Sequence, residues 1–546
     1  MTILPLIERQ LRVRARSRAV HWTRFAVALV GILFYLPVLT NFDGSWVGTR
    51  SDYAFHGLVG AAFILCCGAG FLTVDGISRE RREGTLGLLF LTRVTALDVL
   101  LGSFGSAGIT FLCALIAFLP VLVLPLLFGG VTGGEAFRTM LVLLDTLFLS
   151  LTAGLWASAR GRGWFKCARS AVLLLLLLIV VPFLVGALAQ FSISPLSAIA
   201  WISPLSALHD AGDTSYAKSP APYWVSLAIV QGISWLLLFA AGVRLRRAMR
   251  EEDGTPENSA ASRPAMVSVP PQPRMPIQDG TDPIDWLLRR QRGIKPVLWA
   301  AALLGTNYYL FISVIGRRPA ASFVYSASFV YSILGMSLAF PWVKNCLFAW
   351  AASRFFVQAR RSGELELLLT TPLGAKTIVS RQWNWFKRLS LFPVLVLIAP
   401  SLVWTAWFLL RRDYFSFQPQ GYGSYLVFST LLGCVNTIVG IGALFWAGLW
   451  FGLKGRSQAG AIVRIVALAG GVPYLIASLT ALLRAPQPNM YALSRFPIAL
   501  WVASSWPQIA ILLFYLGLIR WARRRLRAEL GRVEPARLSL TKFLFK

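Results

Sequence analysis

Long apolar stretches separated by short polar segments make up most of this 546-residue chain. A helix needs roughly 20 mostly apolar residues to cross about 30 Å of hydrocarbon, and about twelve such stretches can be placed along the sequence. Those of the first half are Phe25–Thr40, Ala54–Thr73, Leu101–Leu127, Phe137–Ala159, Ser170–Leu188 and Tyr223–Val243. Those of the second half are Pro296–Val314, Val324–Trp342, Leu389–Leu410, Tyr425–Gly452, Ala461–Leu483 and Phe496–Leu518. The pattern predicts an all-α, polytopic integral membrane protein with about twelve transmembrane helices.

The composition supports a bilayer as the solvent of the chain. Hydrophobic residues make up 56% of it, charged residues make up 14%, and the mean hydropathy is +0.64, which soluble proteins do not reach. About 44 of the 53 Lys and Arg residues fall in the N-terminal segment, alternate loops and the C-terminal tail, as the positive-inside rule requires of cytoplasmic segments. We therefore expect a multi-pass protein of a cell membrane, taken to be a bacterial inner membrane, with both termini cytoplasmic. Its positive charge faces membrane lipids, and nucleic acid is not expected as a partner.

A polar segment divides the chain into two halves. Residues 251–282 lose the apolar pattern and fill with Pro, Ser, Gly and charged residues, which is typical of a flexible linker. Because it follows the sixth span, this linker is predicted to be cytoplasmic. We predict a first six-span unit over residues 1–250 and a second over residues 283–546.

Two sequence matches recur in the same order in the two halves. The segment 81–103, after the second span, aligns without a gap with the segment 360–382, after the eighth. The other match follows the fourth and tenth spans. It consists of Gly154, Leu155, Trp156, Gly161 and Arg162 in the first half and of Gly448, Leu449, Trp450, Gly455 and Arg456 in the second. Together the matches predict a tandem of two parallel six-span units, with either a pathway between them or a purely structural role for the duplication.

The first of these repeated segments carries the strongest functional pattern. Each copy begins with charge, continues with glycine and then places leucines at helical spacing, which predicts an amphipathic helix on the inner membrane surface. Gly84 allows the turn that lays the first of these helices flat. The candidate residues of the first copy are Glu80, Arg81, Arg82, Glu83, Gly84, Thr85, Leu86, Leu88, Leu89 and Thr92. Those of the second copy are Arg360, Arg361, Gly363, Glu364, Leu365, Glu366, Leu367, Leu368, Thr371 and Pro372.

Both copies resemble the coupling loop of the membrane subunits of ABC exporters of the second type, which has the form E-R-E-x-G-T-L-E-x-L-L-x-T-P-L. The first copy, RERREGTLGLLFLTRV, keeps the charged start and Gly-Thr-Leu but has Gly87 and Arg93 in place of Glu and Pro. The second copy, RRSGELELLLTTPL, keeps Glu-Leu-Leu and Thr-Pro-Leu but has Ser362 and Glu364 in place of Glu and Thr. Because the copies depart from the form at different places, we expect two unequal docking sites.

The resemblance implies the permease subunit of an ATP-driven exporter. In that family the coupling helix docks on a separate ATPase subunit, so the implied partners are two copies or two kinds of ABC ATPase. The sequence contains no G-x-x-x-x-G-K-[ST] motif. We therefore expect ATP and Mg²⁺ to be bound by the partner, and neither enzyme activity nor a cofactor in this chain.

Asp145 is the notable ionisable residue within a predicted span. A carboxylate at the centre of a membrane helix costs about 2.5–3.5 kcal/mol on insertion, so we expect it to face the bundle interior or water. It is either part of a pathway or a hydrogen-bond partner for a neighbouring helix. The nearest equivalent in the second half is Asn436, followed by Thr437.

No catalytic or metal site is predicted. His21, His56 and His209 have no Cys or carboxylate at ligand spacing, and no Ser, His and Asp set shares one plausible face.

The longest outer segment of the first half, Phe191–Pro222, is partly apolar. It either dips back into the membrane or packs on the bilayer surface. The resemblance implies short re-entrant helices at this place, and with them an extracellular gate.

Two other functions fit parts of the pattern. A twelve-span secondary transporter also has a parallel repeat and a central linker, although such proteins usually carry several paired charges within their spans and a G-x-x-x-D-R-x-G-R-R loop. A membrane assembly or maturation factor without transport activity would differ only in a flux assay. No substrate is determined by the sequence.

Overall fold

The computed structural model describes residues 47–74, 76–78, 95–127, 129–161, 164–189, 195–253, 293–315, 327–361, 363, 375–410, 422–455, 458–483 and 497–533. Every regular element among these residues is a helix. The α-helices are α1 (Val47–Gly68), α2 (Phe71–Val74), α3 (Ala96–Leu127), α4 (Gly133–Arg160), α5 (Trp164–Ala189), α6 (Pro204–Asp210), α7 (Asp213–Tyr216), α8 (Ala221–Asp253), α9 (Ile294–Ile315), α10 (Ala327–Arg361), α11 (Ala375–Leu410), α12 (Tyr422–Lys454), α13 (Gln458–Val466), α14 (Val472–Leu483) and α15 (Pro497–Val533). A 3₁₀ helix, Pro195–Ile202, precedes α6, and a π-helical turn, Ala467–Gly471, joins α13 to α14.

Eight stretches of helix within the described residues are long and apolar enough to cross a membrane. They are Ala54–Ser78, Leu97–Leu127, Gly133–Arg160, Lys166–Phe183, Ala221–Arg247, Thr377–Leu410, Leu426–Lys454 and Gly460–Ala477. An all-helical, multi-pass membrane protein is thereby confirmed. The predicted first span, Phe25–Thr40, lies outside the described residues.

The chain divides into two compact units. The first consists of residues 1–273 and 318–336, and the second of residues 274–317 and 337–546. The helix α8 continues to Asp253, which is three residues into the predicted linker, and most of that linker lies outside the described residues. The domain boundaries given by the sequence therefore stay a prediction.

Helix α4 lies at the centre of the first unit, in contact with α1, α2, α3, α5 and α8. Thr132 starts it as the N-cap, since its hydroxyl accepts the backbone N–H of Glu135 at 3.1 Å. From Ser150 to Ala159 the helix is rich in small residues, and almost all of this stretch is buried. Small side chains let neighbouring helices approach closely, which is how membrane helices gain packing energy.

Helix α12 has the corresponding central place in the second unit, where it packs most extensively on α15 and also contacts α11 and α13. Its core is aromatic: the ring centroids of Trp383 and Phe386 lie 5.0 and 4.5 Å from that of Phe445. Helix α9 packs along α11. Large aromatic side chains in this arrangement fix α12 against α11.

The second span differs from its prediction as one continuous helix over Ala54–Thr73. Helix α1 ends at Gly68 and α2 begins at Phe71, so the span is broken at Ala69 and Gly70. The hydroxyl of Ser150 donates to the carbonyl of Cys66 at 2.6 Å, and a Cβ at Gly70 would lie 2.5 Å from the Ser150 carbonyl oxygen. The break is tolerated because hydroxyl groups of α4 satisfy backbone groups that a continuous helix would satisfy itself.

Several helices also run well beyond the spans predicted from the apolar pattern. Helices α10, α11 and α15 contain 35, 36 and 37 residues. At about 1.5 Å per residue, each is longer than the roughly 30 Å of bilayer hydrocarbon. The apolar pattern identified the part of each helix that suits hydrocarbon, and polar residues continue the same helix past it.

Candidate functional site

Most of the predicted coupling residues lie outside the described residues. This applies to the whole first copy, Glu80 to Thr92, and to Glu364 through Pro372 of the second. Of the second copy, Arg360 and Arg361 end α10, and Gly363 follows with a φ of +74°. That left-handed conformation suits glycine and stops a helix, so the chain turns at Gly363.

The segment of the second span that leads into the first copy is held by α4. The hydroxyl oxygen of Ser158 accepts the backbone N–H groups of Ile77 at 3.2 Å and Ser78 at 3.0 Å. All three residues are buried, with at most 1% of their surface exposed. A movement of this end of the second span therefore has to move α4 as well, or break two buried hydrogen bonds.

The end of α10, which leads into the second copy, is held by α12 in a similar way. The guanidinium of Arg360 donates to the backbone carbonyl of Leu453 at 2.8 Å. Leu453 lies in the last turn of α12, where unpaired carbonyl groups attract cations. In both units, then, the helix before a predicted coupling segment is bonded to the central helix.

In both units the central helix also crosses a neighbouring helix closely, a short distance along the chain before these bonds. A Cβ at Gly154 of α4 would overlap the carbonyl of Gly70 and the hydroxyl of Thr73. A Cβ at Gly448 of α12 would lie 2.5 Å from Cβ of Ala352 on α10. Only glycine permits these backbones to approach so closely.

Cations lie over tryptophan rings at the same helix ends. The guanidinium carbon of Arg160 lies 5.2 Å from the ring centroid of Trp156, and Nζ of Lys454 lies 5.7 Å from that of Trp450. Arg244, from α8, lies over Trp156 at 5.4 Å. These contacts combine cation–π attraction with the favourable position of a cation at a helix C-terminus.

Asp145 is buried between α4 and α8, with 7% of its surface exposed. The amide nitrogen of Gln231 on α8, turned toward it, donates to Oδ1 at 2.7 Å, and the amide oxygen of Gln231 accepts the indole N–H of Trp235 at 3.2 Å. Within the described part of the chain, Oδ2 of Asp145 has no hydrogen-bond partner. The aspartate thus faces the bundle interior as predicted, against an amide of α8.

Asn436 occupies a comparable place between α12 and α15. Its amide nitrogen donates to the backbone carbonyl of Gln508 at 2.9 Å. Its Oδ1 is buried and meets no hydrogen-bond donor among the described residues. The sequence pattern pointed to Asp145 and Asn436 but not to Gln231 and Gln508, because a single glutamine in an apolar helix gives no spacing signal.

The expectation that His56 has no carboxylate at ligand spacing was wrong. Its Nε2 lies 3.0 Å from Oδ1 of Asp52, one turn earlier in α1, and 3.3 Å from Oε1 of Glu135 on α4. The spacing to Asp52 was visible in the sequence, whereas Glu135 is brought near only by the packing of α1 on α4. Both His56 and Glu135 are buried, with 2% and 6% of their surface exposed.

Lys344 is a second ionisable residue inside a long helix, and the sequence did not reveal it because the predicted eighth span ended at Trp342. Helix α10 continues without a break to Arg361, so Lys344 lies in its interior. Its Cδ lies near Gly305 of α9, where a Cβ would approach it to 3.0 Å. Among the described residues, no carboxylate forms an ion pair with it.

Arg138 fastens to α4 the segment that the sequence predicts to lie outside, which is called the outer segment. Its Nε donates to the carbonyl of Ala211 at 2.9 Å, and its guanidinium also pairs with Asp213 and lies 4.2 Å from the ring centroid of Tyr216. The hydroxyl of Tyr223 on α8 donates to the Arg138 carbonyl at 3.0 Å. The segment around α6 and α7 is therefore a packed part of the first unit.

The 3₁₀ helix of this segment and the serine that follows it pack along α5. Ser203 separates the 3₁₀ helix from α6, and its hydroxyl donates to the carbonyl of Ile179 at 2.6 Å. Ile179 belongs to the candidate span Lys166–Phe183. A Cβ at Gly186 would overlap Ala200, so the 3₁₀ helix and α5 are in close contact. The segment therefore packs along α5, and its place relative to the bilayer stays a prediction.

In comparisons with known proteins, no protein-family model matches the sequence, and no curated protein matches it.

Proposed function

We propose that the chain is the permease subunit of an ATP-driven ABC exporter, built as a fused tandem of two parallel six-span units with twelve spans in all. The observation that carries the proposal is the similar anchoring of both predicted coupling segments. Ser158 bonds the end of the second span to α4, and Arg360 bonds the end of α10 to α12. A docking segment needs such a connection if a partner's movement is to reach the membrane helices.

The contacts at the two sequence matches support the tandem. Gly154, in the first-half copy of the match that follows the fourth span, lies against Thr73, and its counterpart Gly448 in the second half lies against Ala352. Gapless alignment of the segments after the second and eighth spans, carried back along those spans, pairs Thr73 with Ala352. In each half, the glycine of the later match thus touches a corresponding position of the helical segment before the earlier match, as a duplicated unit requires.

In this proposal the movement starts at the partner. Separate ABC ATPase subunits, two copies or two kinds, bind ATP and Mg²⁺ and dock on the coupling segments, while this chain performs no bond-making chemistry. Closure of the ATPases moves the second span and α10, and the bonds of Ser158 and Arg360 transmit that movement to α4 and α12.

The polar positions inside the bundle and the outer segment complete the proposed pathway. Asp145 and Asn436 supply polar groups to otherwise apolar helices, and the outer segment held by Arg138 serves as the extracellular gate. The protein belongs to a cell membrane, proposed to be a bacterial inner membrane, with both termini cytoplasmic. That placement follows the positive charge of the predicted inner segments.

Co-purification tests the proposal directly. The tagged chain is extracted from its native membrane in mild detergent, the bound proteins are identified by mass spectrometry, and ATP hydrolysis is measured. A stoichiometric ATPase with a Walker motif is expected. If the chain emerges alone and inert toward ATP, from a lysate in which other ATPase transporters stay intact, the proposal fails and the secondary transporter becomes the leading alternative.

Charge reversal tests the docking assignment in the same complex. Glu364→Lys with Glu366→Lys, or Glu80→Lys with Glu83→Lys, should reduce ATPase stimulation and binding of the partner while membrane insertion is kept. Glu529→Lys, on an exposed site of α15, is the control for a change of charge. Unchanged binding and stimulation in both double variants would rule out these segments as the docking sites.

A further inference from the structure

The C-terminal third of α15 has two faces with different surroundings. On one face Ala522 and Leu526 are buried, and the guanidinium carbon of Arg523 lies 4.3 Å from the ring centroid of Trp446 on α12. The other face borders an open groove of about 500 Å³. The residues that line it are Gly517, Arg520, Trp521, Arg524, Arg525 and Ala528.

The tryptophan that lines this groove, Trp521, is held by aromatic packing. The ring centroid of Trp521 lies 6.3 Å from that of Trp450 and 6.2 Å from that of Phe451, both on α12. Lys454 lies over the ring of Trp450, which itself contacts Trp521, so a further cation lies beside that ring pair. The lining residues all belong to α15, and packing on α12 holds Trp521 among them in place.

The arginines of the groove are available to an anion. In the part of the chain that the structure describes, no Asp or Glu forms an ion pair with Arg520, Arg524 or Arg525. Arg520 and Arg524 are exposed and stand one helical turn apart on the same face. A guanidinium group presents a planar set of donors that matches the oxygens of a phosphate.

The same face becomes apolar toward the centre of α15. Leu513 and Leu516 are 64% and 44% exposed, and they lie within the predicted twelfth span. Between them and the arginines is Gly517, where a Cβ would meet no atom within 4 Å. In order along the helix, the surface thus offers two leucines, an open position at Gly517, and then Arg520 and Arg524 with Trp521 between them. This is the order of acyl chain, glycerol and phosphate in a phospholipid.

We propose that this groove binds the headgroup of an anionic phospholipid, with Arg520 and Arg524 holding the phosphate and the acyl chains lying along Leu513 and Leu516. A free phosphate ion or an acidic peptide would use the arginines alone, whereas a phospholipid in the bilayer contacts both the arginines and the leucines beside them on the same face. The proposal uses none of the coupling segments, so it stands or fails independently of the permease function.

Lipid titration of the full-length chain in a neutral detergent, followed by native mass spectrometry, tests the proposal. The probes are phosphatidylglycerol, phosphatidylcholine with the same acyl chains, and inorganic phosphate as a competitor. Saturable binding of phosphatidylglycerol is expected, with phosphatidylcholine much weaker. Arg520→Gln with Arg524→Gln should weaken it by about thirtyfold, since two charges next to an anionic headgroup are lost.

Two further variants separate the groove from general surface charge. Arg246→Gln with Arg247→Gln removes the same charge from exposed positions of α8 and should bind phosphatidylglycerol as the wild type does. Gly517→Trp keeps every charge but fills the open position, and it should also weaken binding even if the double arginine variant does not fold. Normal binding by Gly517→Trp, or equal loss in both arginine pairs, overturns the proposal. Equal competition by inorganic phosphate at the same concentration overturns the lipid as the ligand.

Discussion

The hydroxyl oxygen of Ser158 accepts the backbone N–H of Ser78 at 3.0 Å, which joins the end of the second span to α4. The N–H of Ile77 donates to the same oxygen. A serine near the end of a buried helix usually bonds its own helix, so this cross-helix contact marks a connection between two spans. It lies immediately before the first predicted coupling segment.

Ser158→Ala should lower the stability of the solubilised protein by about 1–3 kcal/mol, because two buried N–H groups lose their acceptor. Faster hydrogen exchange is expected at residues 77 and 78. Thermal unfolding and hydrogen-exchange mass spectrometry measure these effects. Ser170→Ala, which removes a bond to Cys167 of the same helix, is the matched control and should change little. Unaltered exchange at residues 77 and 78 would contradict the connection.

Gly154→Val and Gly448→Val should each destabilise the protein by about 1–3 kcal/mol or more, because the new side chain meets a neighbouring helix at a close crossing. Thermal unfolding measures the loss. Gly232→Ala is the control, since a Cβ there meets nothing within 4 Å. That change should be neutral or stabilise by up to about 1 kcal/mol. A strong loss in only one of the two glycine variants would argue against corresponding packing in the two halves.

Asp145→Asn should unfold at the same temperature as the wild type or higher. The asparagine oxygen still accepts from Gln231, and the cost of a buried carboxylate disappears. Asp145→Leu should cost about 1–3 kcal/mol because the Gln231 amide then loses its acceptor. Thermal unfolding of both variants in one detergent distinguishes them. Equal destabilisation by Asn and Leu would show that the charge itself, and not the hydrogen bond, stabilises this position.

Arg138→Gln should loosen the outer segment, because it removes the ion pair with Asp213 and the stacking on Tyr216. Faster hydrogen exchange is expected over residues 204–217, with unchanged exchange in the core of α4. Lys218→Gln is a control for charge, since Lys218 is exposed and lies beyond α7. If both variants exchange alike, Arg138 does not fasten the segment.

Most of the helices could be predicted from the sequence, and the errors have identifiable causes. The break at Ala69 and Gly70 lies inside an apolar stretch, so hydropathy alone could not reveal it. The ends of α10 and α15 were placed too early because polar residues continue a helix beyond the hydrocarbon. Lys344 was missed as a direct result of one of these ends.

The candidate site was predictable only where a residue carries its own signal. Asp145 was identified because a carboxylate is costly in any membrane helix, whatever surrounds it. Its partner Gln231 and the acceptor role of Ser158 have no such signal, because an isolated uncharged polar residue in an apolar helix does not indicate which group it will bond. Glu135 lies far from His56 in the sequence, and only the packing of α1 on α4 brings them within 3.3 Å.

The sequence by itself determined that the chain is helical and crosses a membrane, because hydrocarbon requires long apolar stretches whose backbone groups are satisfied within one helix. Only the tertiary structure decided which helices touch, where a span is broken and which buried polar groups pair. Those properties depend on contacts between residues distant in the sequence, such as Ser158 with Ser78 and Asn436 with Gln508. The apolar pattern records a residue's preference for hydrocarbon, and it contains no information about which neighbouring helix that residue faces.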